Sequence, residues 1–531
     1  MRARPGMLGL MLLAAASMPA SAQSQTLPAV EELSLSDAAA ALAAGASSEA
    51  LTRAYLARIE ALDRKGPTLR SVIAVNPDAV AQARALDAER RAGRTRGPLH
   101  GVPVLIKDNI ETRELPTTAG SLALRDNRTG RDAPVVARLR AAGAVILGKT
   151  NLSEWANIRS SSSMSGWSAA GGLVRNPYAL DRTACGSSSG SGAAAAASLA
   201  AAAVGTETDG SVVCPAAMNG LVGLKPTIGL VSRTYIVPIS HSQDTAGPMA
   251  RSVRDAALLF SAMVGSDPAD PVTRDADRHR TDYAAALSPD ALKGVRVGVL
   301  RPEMSAPLAS RYDAALAVLR AAGAELVDVT QPKLEGLGEA EFLVLKAELK
   351  ADLNAYLATT PPSVKTRTLA EVIAFNAVHA DTEMRFFGQE TFEAAQKMPG
   401  LEDASYKQAR AKALRLAGAE GIDAMLGQAR VQLLVSPTYG MPWLSDPVLG
   451  DHFVPPSASQ LPAVAGTPHL TVPMGLVQGL PAGLSFMGPK YSEALLLGAG
   501  YAFEQRGKMR VRPGYAASVA TDGGLEAVRA N

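Results

Sequence analysis

Residues 193–204 contain nine alanines, and this run constrains the fold more than any other stretch. Side chains this small let neighbouring backbones come close, so the run belongs in a densely packed interior. It is too short to cross a membrane, which takes about 20 apolar residues. The expectation is a tightly packed helix over 193–203. A Gly/Ser-rich loop, 186–192, opens directly into it, and a second turn, Gly205-Thr206-Glu207-Thr208-Asp209-Gly210-Ser211, follows it.

Periodicity outlines the rest. Leu51, Tyr55, Ile59 and Leu62 recur at helical spacing, which predicts an amphipathic helix over 48–62. After a Gly97-Pro98 turn, the apolar run 102–106 reads as a buried strand ending in Lys107-Asp108-Asn109. Helix is expected over 133–142 and strand over 144–147. Residues 295–300, 311–322 and 324–329 read as strand, helix and strand, a βαβ-like unit. From about 338 to 428 the chain is mainly helical and more charged, and 431–435 returns to strand. No repeat or low-complexity linker divides the sequence. The expected fold class is therefore α/β, a single large domain over 23–531 with a helical excursion.

Composition excludes several functions. Hydrophobic residues are 47% and charged residues 19%, too apolar for a disordered chain. Fifty-three basic against 50 acidic residues leave a net charge of +3, which gives no footprint for nucleic acid. Two cysteines among 531 residues build neither a disulfide scaffold nor an ordinary Cys-rich zinc module.

The first 22 residues read as a signal peptide. Arg2 and Arg4 precede an apolar stretch, 6–17, and Pro19 precedes Ala20-Ser21-Ala22, a small-x-small cleavage pattern. Cleavage after Ala22 is expected, giving an exported protein, periplasmic or secreted. An uncleaved anchor is the alternative, but the apolar stretch is short for one.

Two motif matches are traps. Residues 143–150, G-A-V-I-L-G-K-T, fit the Walker A pattern formally. A phosphate loop needs small, flexible residues whose amides turn inward, and Ala-Val-Ile-Leu is strand sequence. Residues 186–190, G-S-S-S-G, imitate a nucleophile elbow centred on Ser188. The preceding 177–183 is turn-like rather than a strand, and no pattern selects among His379, His452 and His469. An α/β-hydrolase-type esterase using Ser188 stays as an alternative.

The block 185–226 is the stronger signal. Successive amides around Thr208-Asp209-Gly210-Ser211 suit a nest of donors for a developing oxyanion. The block contains no histidine, so a serine nucleophile there needs another base. A lysine serves if burial depresses its pKa. Lys107, at the end of an apolar strand, is a candidate; the competing reading is an ordinary strand-end lysine paired with an acid.

This block resembles that of the amidase signature family. The resemblance extends through G-V-P-V-L-I-K-D-N at 101–109, G-K-T-N at 148–151, S-Q-D-T-A-G-P-M-A-R-S at 242–252 and the C-terminal G-T-P-H-L-T-V-P-M-G and G-L-P-A-G-L pieces. It covers nearly the whole chain after residue 22, with the helical middle least matched. It implies a central mixed β-sheet covered by helices on both faces. It also implies a Ser–cisSer–Lys triad, with Ser211 as nucleophile, Ser187 as bridging cis-serine and Lys107 as general base. The amides of Thr208, Asp209, Gly210 and Ser211 match the family's oxyanion hole. The implied reaction is amide hydrolysis through an acyl-enzyme, with no metal or organic cofactor.

The form G-T-E-T-D-G-S-V-V-C-P-A at 205–216 looks most like secreted peptide amidases, which remove C-terminal amides. Three positions depart from the commoner motif. Glu207 replaces Asp, Asp209 replaces the first of two glycines, and Val213 replaces an arginine. These departures bear on substrate placement. Expected partners are a small-molecule or peptide amide substrate, with no nucleic acid and no membrane after cleavage, in a monomer or homodimer. Export argues against the tRNA-dependent amidotransferase subunit of the family. A non-catalytic binding protein on the same fold is the alternative from another class.

Trp155, in T-N-L-S-E-W, follows a strand near the expected catalytic face and is a candidate substrate-binding residue; its competing role is in the core. Cys185 lies two residues before Ser187, and Cys214 three after Ser211. If the serines meet, the cysteines form a disulfide where their Cα atoms come within about 7 Å. Small buried packing residues are the preferred reading of the two.

Overall fold

The apolar run 102–106 becomes a strand, Pro103–Lys107, in which every residue is buried. In the computed structural model of the chain, residues 29–519 are described, and the expected leader, 1–22, lies outside them. Among the described residues eleven strands form one sheet. They are β1 (Val72–Val75), β2 (Pro103–Lys107), β3 (Val145–Thr150), β4 (Ala202–Glu207), β5 (Val222–Lys225) and β6 (Thr245–Ala250). These are followed by β7 (Arg296–Val299), β8 (Glu325–Asp328), β9 (Leu433–Pro437), β10 (His469–Val477) and β11 (Leu480–Met487). Their spatial order is β1-β3-β2-β4-β6-β5-β10-β11-β9-β7-β8.

The sheet is mixed and flanked by helices. β2 runs parallel to both β3 and β4, whereas β4 is antiparallel to β6. Strands enclosed on both faces carry continuous apolar sequence rather than alternation, which is what 102–106 shows. The βαβ expectation holds: β7 and β8 are parallel and joined through the helix Ala306–Ala321. The later segment carries helices from Leu337–Ala358 to Asp423–Ala429. The helix expected over 48–62 is Ser48–Arg58 and then a wider turn, Ile59–Arg64. The Walker-like stretch ends in β3, buried throughout, so it is a strand and no phosphate loop.

The alanine run departs from expectation. Its helix spans Ser189–Ala196 and stops, and the remaining alanines enter β4. Ser198 turns left-handed, at φ +56°, between the two elements. Its hydroxyl accepts a hydrogen bond from the amide of Glu32 at 2.9 Å. Alanine prefers helix by only a few tenths of a kcal/mol per residue. A slot between β2 and β6 outweighs that, pairing Ala202 with Val104 and Ala203 with both Leu105 and Met249. Helix and strand are buried at every residue.

Candidate active site

Two adjacent parallel strands carry polar groups to one edge of the sheet. β2 ends in Lys107 and β4 ends in Thr206 and Glu207. The Lys107 Nζ lies 2.8 Å from Ser187 Oγ and 2.8 Å from Thr206 Oγ1, with the Thr206 carbonyl at 3.3 Å. Asn109 Nδ2 donates to the same Thr206 Oγ1 at 2.9 Å. Lys107 is fully buried, and among the described residues it forms no ion pair. The buried Lys149, by contrast, sits 2.9 Å from the Asp108 carboxylate. Burial therefore lowers Lys107 to about 7, against the opposing charges of Asp244 and Glu207. The strand-end ion pair weighed from sequence is thus absent at this lysine.

Ser187 arrives from the Gly/Ser loop, and the peptide bond between Gly186 and Ser187 is cis. A Cβ on Gly186 would lie 2.2 Å from Ser153 Oγ, so the loop has no room for a side chain there. The amide of Ser188 donates to the carbonyl of Ser211 at 3.2 Å, which ties this loop to the second turn.

The second turn links β4 to the short helix Val213–Met218. The longer side chain of Glu207 finds a use here. Its Oε2 accepts from the amides of Val212 at 2.7 Å and Val213 at 3.0 Å, capping the turn from inside. This departure from the commoner motif shapes the turn rather than the surface above it. Gly210, not Asp209, takes the left-handed conformation, at φ +78°. A Cβ on it would meet Tyr439 Oη at 2.0 Å. Thr208 Oγ1 donates to Asp244 Oδ1 at 2.5 Å, and Asp244 Oδ2 accepts from the amides of Ile239 and Ser240. Among the described residues the amides of Asp209, Gly210 and Ser211 donate to no protein group. They are free to serve a ligand oxygen.

A cavity of about 530 Å³ opens over this turn, with Ser211, Asp209 and Gly186 in its floor. A second, of about 330 Å³, lies beside Asn109, Thr206 and Asp244, and the two share Thr208. Ser187, Lys107 and Thr206 thus form a buried chain beneath Ser211's turn.

Other candidates fall elsewhere. Ser188 is fully buried; its hydroxyl donates to the Thr206 carbonyl at 3.0 Å and accepts from the Thr206 amide at 3.1 Å. None of His379, His452 and His469 bonds to it; His469, for one, is held 2.6 Å from Ser485 Oγ. An elbow nucleophile there has neither access nor base. Trp155 packs edge-on to Phe392, ring centres 5.8 Å apart, in a core with Leu349 and Leu353. The cavity is lined by its neighbours 156–158 instead, so Trp155 is a core residue and not a wall of the site.

The cysteines also correct the sequence reading. Cys185 and Cys214 form a disulfide, with Cα atoms 6.0 Å apart. The bond clamps the loop of Ser187 to the turn of Ser211. A cross-link over a 29-residue separation contributes about 3.5 kcal/mol in the chain-entropy account. A Cys185→Ser/Cys214→Ser double variant is accordingly expected to melt several degrees lower. An unchanged melting curve would remove the clamp's stabilising role.

Sequence reasoning assigned no site role to Thr206, Asn109 or Asp244. All three stand in the matched motifs, so position in the motif was the available signal. It also missed a wall of Tyr439, Trp443 and Phe453 on the loop after β9.

The family model described as Amidase matches residues 50–497. The chain is similar to the native peptide amidase of Stenotrophomonas maltophilia, 51% identical, TM-score 0.88, over 91% of this chain and 99% of that one. It is similar to an amidase family protein of Bacillus anthracis, 36% identical, TM-score 0.83, over 91% and 93%. A glutamyl-tRNA(Gln) amidotransferase chain of Chloroflexus aurantiacus is 37% identical over 90% of this chain and 97% of its own.

Proposed function

The chain belongs to the amidase family and hydrolyses amide bonds, and from that premise we propose an exported peptide amidase working through a Ser211–Ser187–Lys107 relay. Neutral Lys107 accepts a proton from Ser187 as Ser187 takes one from Ser211. Ser211 attacks the amide carbonyl, and the amides of 208–211 hold the oxyanion. Ser187 returns a proton to the leaving nitrogen, freeing ammonia or an amine. Water then resolves the acyl-enzyme by the same route.

One observation carries this reading: a buried lysine with no carboxylate partner among the described residues, 2.8 Å from a serine hydroxyl. A lysine so placed loses its proton near neutrality and becomes a base. The likeness to a peptide amidase and a cavity wide enough for a peptide end support C-terminal amides as substrate. Export is supported by the leader-like residues 1–22 and by the disulfide, which persists in oxidising compartments. Labelling with a fluorophosphonate probe, followed by peptide mapping, is expected to mark Ser211. Label on Ser188 would overturn the assignment. Secreted protein beginning far from Gln23 would overturn the cleavage site.

The base also sets a pH dependence. Lys107 is active when neutral, so kcat/KM for peptide amides should rise with pH through about 7. Asp244 opposes the loss of that proton, and Asp244→Asn should move the acid limb to lower pH. A flat profile from pH 5.5 to 8.5 would remove Lys107 as the base.

A further inference from the structure

We propose that the cavity above Ser211 selects amides whose acyl residue is apolar or aromatic, and rejects those carrying a carboxylate beside the scissile bond. The inference rests on the peptide-amide reading and names the substrate class within it.

Charge is the first observation. Among the described residues lining the 530 Å³ cavity there is no lysine, arginine or histidine, whereas Asp209 and Asp451 are both present. Behind Asp209 stands the buried Glu341, whose two oxygens accept from Gln243 Nε2 and Gln460 Nε2, each at 2.9 Å. Those amides donate without adding positive charge. Burial, and then the facing Glu341, push the Asp209 carboxyl up against the opposing charge of Lys225, which does not itself line the cavity. A substrate carboxylate entering here would lose its water and gain no counter-ion. A primary carboxamide carries no such penalty.

The apolar wall is the second. Phe453 meets Tyr439 edge-on at 5.9 Å and Trp443 at 6.1 Å. The wall is held in place: Trp443 Nε1 donates to Asp451 at 3.0 Å, and Asp451 accepts from the amide of Ser165 at 3.1 Å. Phe453 remains 48% exposed. On the same loop Val448, Leu449 and Val454 are 86%, 71% and 57% exposed. Large apolar side chains gathered on one loop mark a contact surface. Phe453 belongs both to this loop and to the lining of the cavity that holds Ser211, so the occupant of this surface is the acyl side of the substrate. An apolar side chain there covers the wall, and the residues before it reach the rim.

The test is kcat/KM, from ammonia release, for N-acetyl-alanyl-X-amides with X = Phe, Leu, Gly, Lys and Asp. Burying a large apolar side chain favours Phe and Leu over Gly by about tenfold or more. The Asp amide should fall roughly a hundredfold below Phe, and the Lys amide should not fall with it. Phe453→Ala should lower kcat/KM for the Phe amide about fivefold or more relative to the Gly amide, narrowing the preference between the two. Phe453→Lys, at the same exposed position, should raise the Asp amide relative to the Phe amide. Equal rates for all X, or an indifferent Phe453→Ala, would overturn the inference and leave the peptide-amide reading standing. Hydrolysis of acetamide or benzamide with none of the peptide amides would overturn that reading itself.

Discussion

Ser211→Ala is expected to lower kcat on any peptide amide by at least ~10⁴-fold while leaving the melting temperature unchanged. In the proposed relay neither serine of the neighbouring loop is placed to replace the lost nucleophile. Ser188 is buried and bonded on both sides to Thr206, and Ser187 lies under the turn against Lys107. The fold has no need of the hydroxyl: among the described residues the Ser211 side chain makes no hydrogen bond. The turn is shaped by Glu207 and Gly210, and the amides of 209–211 survive the substitution. The variant should therefore still bind substrate, and fluorophosphonate labelling should vanish. Ammonia assays, labelling and thermal melts on one preparation check all three. Turnover within tenfold of the parent would place the nucleophile elsewhere.

Lys107→Met carries the second large effect, a fall in kcat of roughly 10²–10⁴-fold, the usual worth of a positioned base. Methionine keeps the bulk and removes the amine, so in the proposed relay Ser187 loses its proton acceptor. Stability should move the other way. The folded lysine titrates near 7, whereas an unfolded one keeps its proton to about 10.5. Between those values the unfolded chain binds more protons, so folding stability rises with pH across that window. Below it the folded chain must hold a buried ammonium with no carboxylate partner. Methionine removes this cost and the pH dependence with it. Melting at pH 6 should be equal or higher in the variant, and the rise toward pH 9 shallower. Parental turnover in Lys107→Met would end the relay mechanism.

Much of this was legible because the informative residues are short-range and chemically narrow. An apolar strand ending in lysine, with no histidine in the serine-rich block, already asked for a lysine base. The βαβ unit at 296–328 and the helical excursion followed from periodicity alone. What escaped was set by tertiary neighbours. Alanine does not say whether it is helix or strand, and the run divides only because β2 and β6 leave a slot. Trp155 looked equally suited to core or cavity, and Phe392, more than 200 residues away, decides for the core. The Cys185–Cys214 bond depends on how two turns meet. Tyr439, Trp443 and Phe453 stand in an irregular loop with no period to betray a shared face.

The alanine layer under the turns of Ser187 and Ser211 has a consequence for how such an enzyme changes over time. Helix Ser189–Ala196 and strand Ala202–Glu207 are buried at every residue, so bulk added there has nowhere to go. Phe453, Val448 and Leu449 face the opposite condition, with open space around them. On the proposed assignments, reactivity and selectivity are therefore written into separate parts of the chain, one nearly closed to substitution and one permissive. Divergence toward new amides can proceed through the permissive loop, one residue at a time, while the hydrolytic chemistry is inherited unchanged.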